Sequence, residues 1–173
     1  MYENTKIRYL GLCYGAQLLA QAMGGKVEKM AHMATRLGND EVSFTEDFYE
    51  LPYVKAHKEF YAKKPKSLAV LKSHGDHITK LPREAKLMGS STTTEVEVFT
   101  MGDRFFAVQG HPEATAEFAC ARMSLTKLSE ADDQAIEAYE KAKTERIKER
   151  YSIPEDKFDW LAICTNFLKG IGN

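Results

Sequence analysis

The spacing of apolar positions predicts a strand, a sharp turn and a helix near the start of the chain. Residues 7–12, IRYLGL, are apolar and partly β-branched or aromatic, which is typical of a buried strand. From Tyr14 the apolar positions follow a helical period, at Ala16, Leu19, Ala20 and Met23. The glycine pair at 24–25 ends that helix, so the segment GLCYGAQ lies at a strand-to-helix corner.

The centre of the chain predicts short extended segments. Residues 26–30 (KVEKM) and 41–44 (EVSF) are expected to be extended, and 67–73 (SLAVLKS) is expected to be a strand. The segment at 74–79 (HGDHIT) is predicted as a loop. Residues 47–66, which Pro52 and Pro65 interrupt, are predicted as loop with one short helix.

Two runs around a Gly-Asp turn predict a β-hairpin. Val96 and Val98 alternate with Glu95, Glu97 and Phe99, and RFFAVQG follows after Met101, Gly102 and Asp103. Because Pro112 cannot continue a central strand, the chain is expected to leave the sheet at GHPEAT.

Helical patterns fill the remainder from Ala114. The last helix is predicted to begin near Pro154, with a core-facing stripe of Trp160, Ile163, Cys164, Phe167 and Leu168. The length of 173 residues favours one domain. Residues 126–173 are interpreted as a helical C-terminal extension of that domain.

Composition narrows the classes of function. The formal net charge of -1 gives no reason to expect a nucleic acid or an anionic membrane as partner. Three cysteines without paired spacing argue against a disulfide framework, and no run approaches the roughly 18 apolar residues of a membrane helix. We therefore expect a cytoplasmic protein.

Cys13 lies between Gly11 and Gly15 at the predicted corner. A tight turn projects a side chain from the end of a sheet, and the helix N-terminus that follows favours thiolate over thiol. The two glycines fit a corner with unusual backbone angles and close helix-to-strand approach. The alternative is a buried structural cysteine, the common fate of a free thiol.

A thiolate nucleophile needs an imidazole partner, and the imidazole needs a carboxylate to orient it. His111 and Glu113 lie two residues apart at the end of the hairpin, so their side chains point the same way if the backbone is extended. The other candidates are weaker. His74, Asp76 and His77 lack a distant further ligand for a metal, and we interpret His32, His57, Cys120 and Cys164 as packing or surface residues.

Three ordered segments resemble a known family. GLCYGAQLLAQAMGG, SHGDHITKLP and EVEVFTMGDRFFAVQGHPE are similar, in order and content, to the class I glutamine amidotransferases. The likeness covers roughly residues 7–125. In appearance it is nearest to the stand-alone γ-glutamyl peptidase and GMP-synthase-like members.

The resemblance implies a three-layer, flavodoxin-like α/β fold and a Cys-His-Glu triad. It assigns the nucleophile to Cys13, the acid-base group to His111 and the orienting carboxylate to Glu113. It places one oxyanion donor at the backbone amide of Tyr14. It assigns the glutamyl head to positions that here are Gln17, Ser73, His74, Gly75 and Asp76.

The resemblance also implies a reaction. Glutamine or a γ-glutamyl small molecule would form a γ-glutamyl thioester on Cys13, which water then hydrolyses, with no cofactor and no metal. The absence of a synthetase domain favours a peptidase or stand-alone hydrolase. A glutaminase subunit that delivers ammonia to a separate synthetase is an alternative.

One feature departs from the family pattern. Only 12 residues precede Cys13, whereas the second oxyanion donor of the family lies in a glycine-rich loop several units upstream. We therefore expect an N-terminally incomplete fold, and losing one such donor costs on the order of 10²-fold to 10³-fold in rate. Three interpretations stay open: a fragment of an active enzyme; a short protein completed by a second copy or a partner chain; and a degenerate, non-catalytic interaction module.

Overall fold

The computed structural model describes residues 7–30, 36–114 and 157–172. The described strands are β1 (Tyr9–Leu12), β2 (Lys26–Lys29), β3 (Arg36–Phe44), β4 (Ser67–His74), β5 (Asp76–Lys80), β6 (Lys86–Ser90), β7 (Val98–Met101) and β8 (Phe105–Val108). The described helices are α1 (Tyr14–Ala22), α2 (Glu46–Glu50), α3 (Pro52–Lys55), α4 (Lys58–Lys63) and α5 (Lys157–Lys169). The helices predicted between 115 and 156, with Cys120, lie outside these ranges.

Six strands form one mixed sheet in the order β1-β8-β7-β6-β3-β4, and β2 pairs with β5 in a separate antiparallel ribbon. β1 and β8 are parallel, while the other neighbouring pairs of the large sheet are antiparallel. The predicted hairpin is confirmed, because β7 and β8 pair with Val98 opposite Val108 and Met101 opposite Phe105.

The strand directions place three chain segments at one edge of the sheet. β1, β8 and β4 all run in the same direction. β8 is parallel to β1, and the four antiparallel pairings from β8 through β7, β6 and β3 to β4 restore the original direction. The residues that follow these strands therefore leave the sheet at the same edge. They are Cys13 after β1, His111 after β8, and the segment after His74 at the end of β4.

Helices cover both faces of the sheet, which gives the three layers expected. On one face α1 packs with Ile78, Phe99 and Ala107. On the other face α2, α3, α4 and α5 enclose a larger aromatic core that includes Phe48, Phe60, Trp160 and Phe167. None of the helices in the described ranges is long and apolar enough to cross a membrane.

The structure corrects several details in the centre of the chain. The segment 74–79, predicted as a loop, belongs almost entirely to strands, since β4 ends at His74 and β5 begins at Asp76. Residues 46–63 form three short helices instead of one. In the last helix Trp160, Ile163, Cys164 and Phe167 are buried as predicted, but Leu168 is 51% exposed.

A charged cluster is buried between β4 and the segment before β7. Lys72, 1% exposed, donates to Asp40 Oδ2 at 2.7 Å and to Ser91 Oγ at 2.8 Å. It also forms an ion pair with Glu97, which is 1% exposed. Hydrogen bonds from Lys72 and Thr93 outweigh the effect of burial and lower the pKa of Asp40. The cluster joins β4 to Asp40 of β3 and to residues 91–97, the segment before β7.

Candidate active site

Cys13 occupies a strained corner between β1 and α1. Its backbone has φ 47° and ψ -108°, a sparsely populated region for any residue other than glycine. Its amide donates to Val108 O at 2.9 Å, and its carbonyl accepts from Gln17 N at 3.1 Å. The corner is therefore tied to β8 and to the first turn of α1, and the half-buried thiol is held at the edge of the sheet.

The two flanking glycines have different roles. A Cβ on Gly11 would lie 2.7 Å from Leu19 Cδ1 and 2.8 Å from Gly15 O, so the close approach of α1 to β1 requires glycine there. A Cβ on Gly15 would meet nothing within 4 Å. The prediction that both glycines serve the corner is therefore confirmed for Gly11 only, and the unusual backbone angle lies at Cys13 itself.

His111 and Glu113 are joined by a turn that follows β8. His111 N donates to Leu71 O at 2.7 Å, and Ala114 N donates to His111 O at 3.1 Å. His111 Nδ1 lies 2.8 Å from Glu113 Oε1. The sequence analysis assumed an extended backbone here, whereas a turn, with Pro112 at its second position, brings the two side chains together.

The structure brings Cys13 and His111 together across the parallel strand pair. Burial alone lowers the pKa of His111, but the hydrogen bonds that join it to Cys13 and to Glu113 outweigh burial and raise it to about 9. Since Nδ1 faces Glu113, we infer that Nε2 is the ring nitrogen that bonds to Cys13. A thiol, an imidazole and a carboxylate thus follow one another in the order that nucleophilic acyl transfer requires.

The end of β4 and the residues that follow it lie near the thiol. Ser73 O lies 3.9 Å from Cys13 Sγ. Gly75 O accepts from Met30 N at 2.9 Å, which ties the segment to the end of β2. Asp76 O accepts from both Gln17 Nε2, at 2.8 Å, and His74 Nδ1, at 2.9 Å. Of the predicted positions, Ser73 contacts Cys13, while Gln17, His74 and Asp76 are joined to one another by hydrogen bonds.

His74 is a buried neutral imidazole. It is 5% exposed, and burial together with nearby cationic groups lowers its pKa to about 4. Its Nδ1 donates to Asp76 O, while its Nε2 is buried with no hydrogen-bond partner among the described residues. His74 thus anchors the segment and carries no positive charge at neutral pH.

Gln109 belongs to the site but was missed by the sequence analysis. It is 1% exposed, and its Nε2 lies 3.9 Å from Cys13 Sγ, while its Oε1 lies 3.2 Å from Gln17 Nε2. A polar residue at the end of the otherwise apolar run FFAV was the signal available in the sequence.

A cavity of about 300 Å³ opens at the start of α1, next to Tyr14. It lies between α1 and the β2-β5 ribbon, and its lining includes Tyr14, Gln17, Gln21, Lys29 and Asp76. Tyr14 is the first residue of α1, so its backbone N–H has no acceptor within the helix. The start of α1 therefore lines the cavity, and Cys13 directly precedes it in the chain.

Two further predicted packing residues have structural roles. His57 Nε2 contacts Asp159 Oδ1 at 2.7 Å and links the start of α4 to α5. Burial raises the pKa of Cys164 to about 12, so this thiol is protonated at neutral pH. His32 and Cys120 lie outside the described residues, and no metal-binding cluster of His, Cys, Asp or Glu occurs within them.

His111 and His74 are expected to titrate at opposite ends of the pH range. In an NMR titration His111 should titrate near pH 9 and His74 near pH 4. Glu113→Gln and Cys13→Ala should each lower the His111 midpoint, because each removes a hydrogen bond that favours the imidazolium. A His111 midpoint near 6.5 in the unmodified chain, or one unchanged in both variants, would contradict the geometry.

The same shifts predict how stability changes with pH. Between pH 6.5 and 9 folded His111 binds more protons than the unfolded chain, so its contribution to the free energy of unfolding falls as pH rises. Between pH 4 and 6.5 the unfolded chain binds more protons at His74, so that contribution rises with pH. Together the two groups favour maximal stability near pH 6.5.

Comparison with known proteins places this chain in a family. A family model described as "Glutamine amidotransferase class-I" matches residues 1–127. Gamma-glutamyl peptidase 3 of Arabidopsis thaliana is 33% identical over 97% of this chain and 63% of its own length. A GMP synthase [glutamine-hydrolyzing] of Glaesserella parasuis is 33% identical over 65% of this chain and 21% of its own length.

The fold agrees with that of solved relatives. The crystal structure of a glutamine amidotransferase from Thermotoga maritima superposes with a TM-score of 0.59 at 22% identity. The match covers 92% of this chain and 62% of that one. The chain described here thus spans a little over three fifths of the length of the peptidase and of this structure.

Proposed function

This chain belongs to the class I glutamine amidotransferase family, and on that premise we propose that it hydrolyses a γ-glutamyl amide through a covalent thioester on Cys13. The observation that carries the proposal is the contact of Cys13 with a histidine whose far ring nitrogen faces Glu113. The family relationship supports amide hydrolysis in general. The assignment of individual steps to residues is our inference from the geometry.

In the first half-reaction the Cys13 sulfur attacks the γ-carbonyl carbon of the substrate. The carbonyl π electrons move to oxygen, and the backbone N–H of Tyr14 stabilises the resulting oxyanion. His111 then gives its proton to the departing amine as the C–N bond breaks. The products of this half are a γ-glutamyl thioester and a free amine.

In the second half-reaction water replaces the amine. His111, now neutral, takes a proton from water as the oxygen attacks the thioester carbon. The C–S bond breaks, glutamate leaves, and the thiolate-imidazolium pair is restored. Throughout both half-reactions the Glu113 carboxylate accepts a hydrogen bond from His111 Nδ1–H. This bond keeps Nε2 directed toward the sulfur.

The cavity next to Cys13 is the proposed site for the glutamyl head. Both amide hydrogens of Gln17 are engaged, by Asp76 O and Gln109 Oε1, which leaves its Oε1 to accept from the substrate's α-ammonium group. Asp76, which lines the cavity, accepts a hydrogen bond from His74 Nδ1, while Ser73 O lies near Cys13 Sγ and Gly75 O accepts from Met30 N.

Among γ-glutamyl amides we propose a γ-glutamyl peptide as substrate. The similarity to a protein named gamma-glutamyl peptidase 3 extends over 97% of this chain, against 65% for the GMP synthase. The GMP synthase match supports a second candidate, glutamine hydrolysis with ammonia passed to a separate synthetase. A non-catalytic interaction module is disfavoured because the three triad groups are joined in one hydrogen-bonded series.

A substrate comparison tests the proposal. Purified protein is given γ-glutamylalanine, glutamine or α-glutamylalanine at equal concentrations, and glutamate release is followed by mass spectrometry. We expect kcat/KM for γ-glutamylalanine to exceed that for glutamine by about 10-fold or more, a difference of about 1.4 kcal/mol. The α-linked dipeptide should be inert.

A preference for glutamine would favour the ammonia-delivering alternative. Equal release from the α- and γ-linked dipeptides, or none from any of the three, would overturn the proposal.

A further inference from the structure

The side chain of Gln109 is aimed at the sulfur from inside the protein. Gln109 follows β8 directly, is 1% exposed, and has its backbone N–H bound to Glu97 O at 2.7 Å. Its Nε2 lies 3.9 Å from Cys13 Sγ, within hydrogen-bonding range for sulfur. The thiol therefore has a second polar side-chain neighbour besides His111.

Neighbouring groups determine which end of this carboxamide faces the sulfur. Asp76 O is a backbone carbonyl and can only accept, so the group that Gln17 directs at it, at 2.8 Å, must be Nε2. The same Nε2 has a second hydrogen, which it donates to Gln109 Oε1 at 3.2 Å. Gln109 must then turn its own Nε2 donor toward Cys13.

This arrangement is held rigidly. Gln17 is 6% exposed and belongs to α1, Asp76 begins β5, and Gln109 extends β8, so three elements fix the two amides. An amide N–H cannot transfer its proton at neutral pH, unlike the imidazole of His111. It can stabilise negative charge on the sulfur without taking part in proton exchange.

We propose that Gln109 is an additional catalytic residue, whose amide donates to the Cys13 thiolate and is oriented for that purpose by Gln17. The inference rests on the proposed function, since it takes Cys13 as nucleophile. In the resting enzyme the donor favours thiolate over thiol. When the C–S bond of the thioester breaks, the same donor receives the charge that returns to sulfur.

The test is the rate of Cys13 alkylation by iodoacetamide as a function of pH, with peptide mapping to isolate Cys13 from the other thiols. Gln109→Met keeps a side chain of similar length but removes the donor. We expect its alkylation rate at pH 6 to fall about 10-fold, and the deficit to vanish at pH 10, above the range in which cysteine thiols ordinarily ionise. A purely structural role would lower the rate equally at both pH values or leave it unchanged, and either result would overturn the inference.

A second variant tests the orientation by Gln17. Gln17→Met should lower the alkylation rate of Cys13 at pH 6 by a smaller factor than Gln109→Met. The double variant should react no more slowly than Gln109→Met alone, because Gln17 acts on the sulfur only through Gln109. If the two single-variant effects on the alkylation rate added up in the double variant, Gln17 would not act through Gln109.

Folding is monitored through the fluorescence of buried Trp160. If Gln109→Met does not fold, Gln109→Glu replaces it, because glutamate retains the size of the side chain. Its carboxylate lies at the sulfur, so we expect a larger fall in the Cys13 alkylation rate at pH 7 than the fall expected for Gln109→Met. Unmodified protein whose Cys13 reacts at pH 6 no faster than an ordinary thiol would refute the proposed function. Normal Cys13 reactivity with no effect of either Gln109 variant would refute this inference alone.

Discussion

Cys13→Ser is expected to lower γ-glutamyl amide hydrolysis by about 10⁴-fold or more, the scale of losing the nucleophile of a triad. A serine hydroxyl at this corner keeps the volume of the side chain but does not ionise at neutral pH, so His111 would have to remove its proton in each turnover. Stability should change little, because Cys13 is half-buried and its backbone bonds remain. The measurement is kcat/KM per folded molecule, with folding checked by circular dichroism.

Cys164→Ala is the matched control for this substitution. Cys164 is buried on α5 and lies on the apolar stripe that packs against the sheet, and burial keeps its thiol protonated at neutral pH. Its loss should cost some stability through a small cavity but should leave kcat/KM within a few-fold of the unmodified chain. Retained hydrolysis in Cys13→Ser, or equal losses in the two variants, would show that another group is the nucleophile.

Lys72→Met is expected to destabilise the fold by about 3–5 kcal/mol, which is a large part of the stability of an ordinary domain. The side chains of Lys72 and Glu97 are 2% and 0% exposed, and Glu97 Oε2 already lacks a hydrogen-bond partner among the described residues. Removing the ammonium leaves Glu97 and Asp40 as uncompensated negative charges. Urea unfolding followed by circular dichroism measures the loss.

Two further variants test whether the destabilisation comes from the buried charge of Glu97. Lys80→Met, at an exposed position of β5, should change the free energy of unfolding by no more than about 0.5 kcal/mol. Lys72→Met combined with Glu97→Leu should recover much of the loss, since no unpaired charge then remains in the buried pair. A loss in Lys72→Met below about 1 kcal/mol would mean that the pair is not desolvated as the structure describes.

The parts of the site that lie close together in sequence could be predicted from it. The corner at Cys13 followed from a change of period at Tyr14, and Gly11 marks the close approach of strand and helix. The pairing of β7 with β8 followed from alternation around a Gly-Asp turn. These features depend on local rules, because period, turn chemistry and strand alternation act over a few residues.

The features that depend on tertiary packing could not be predicted from the sequence. Lys72 interrupts an apolar strand, and only the fold brings it to Asp40 and Glu97. The role of Gln109 depends on Gln17, 92 positions earlier, to which it is hydrogen-bonded. β5 was predicted as loop because Asp76 and His77 are polar, yet it pairs with the exposed strand β2 and needs only one buried position, Ile78.

The central claim is that Cys13 is an activated thiolate that a γ-glutamyl substrate reaches. An electrophilic glutamine analogue, added at pH 7 to the unmodified chain and to Cys13→Ser, tests it by intact-mass spectrometry and peptide mapping. We expect one adduct per chain, located on Cys13 and absent from the variant. Excess glutamate should slow the rate at which the adduct forms. An adduct that persists in Cys13→Ser, or no adduct on the unmodified chain, would contradict it.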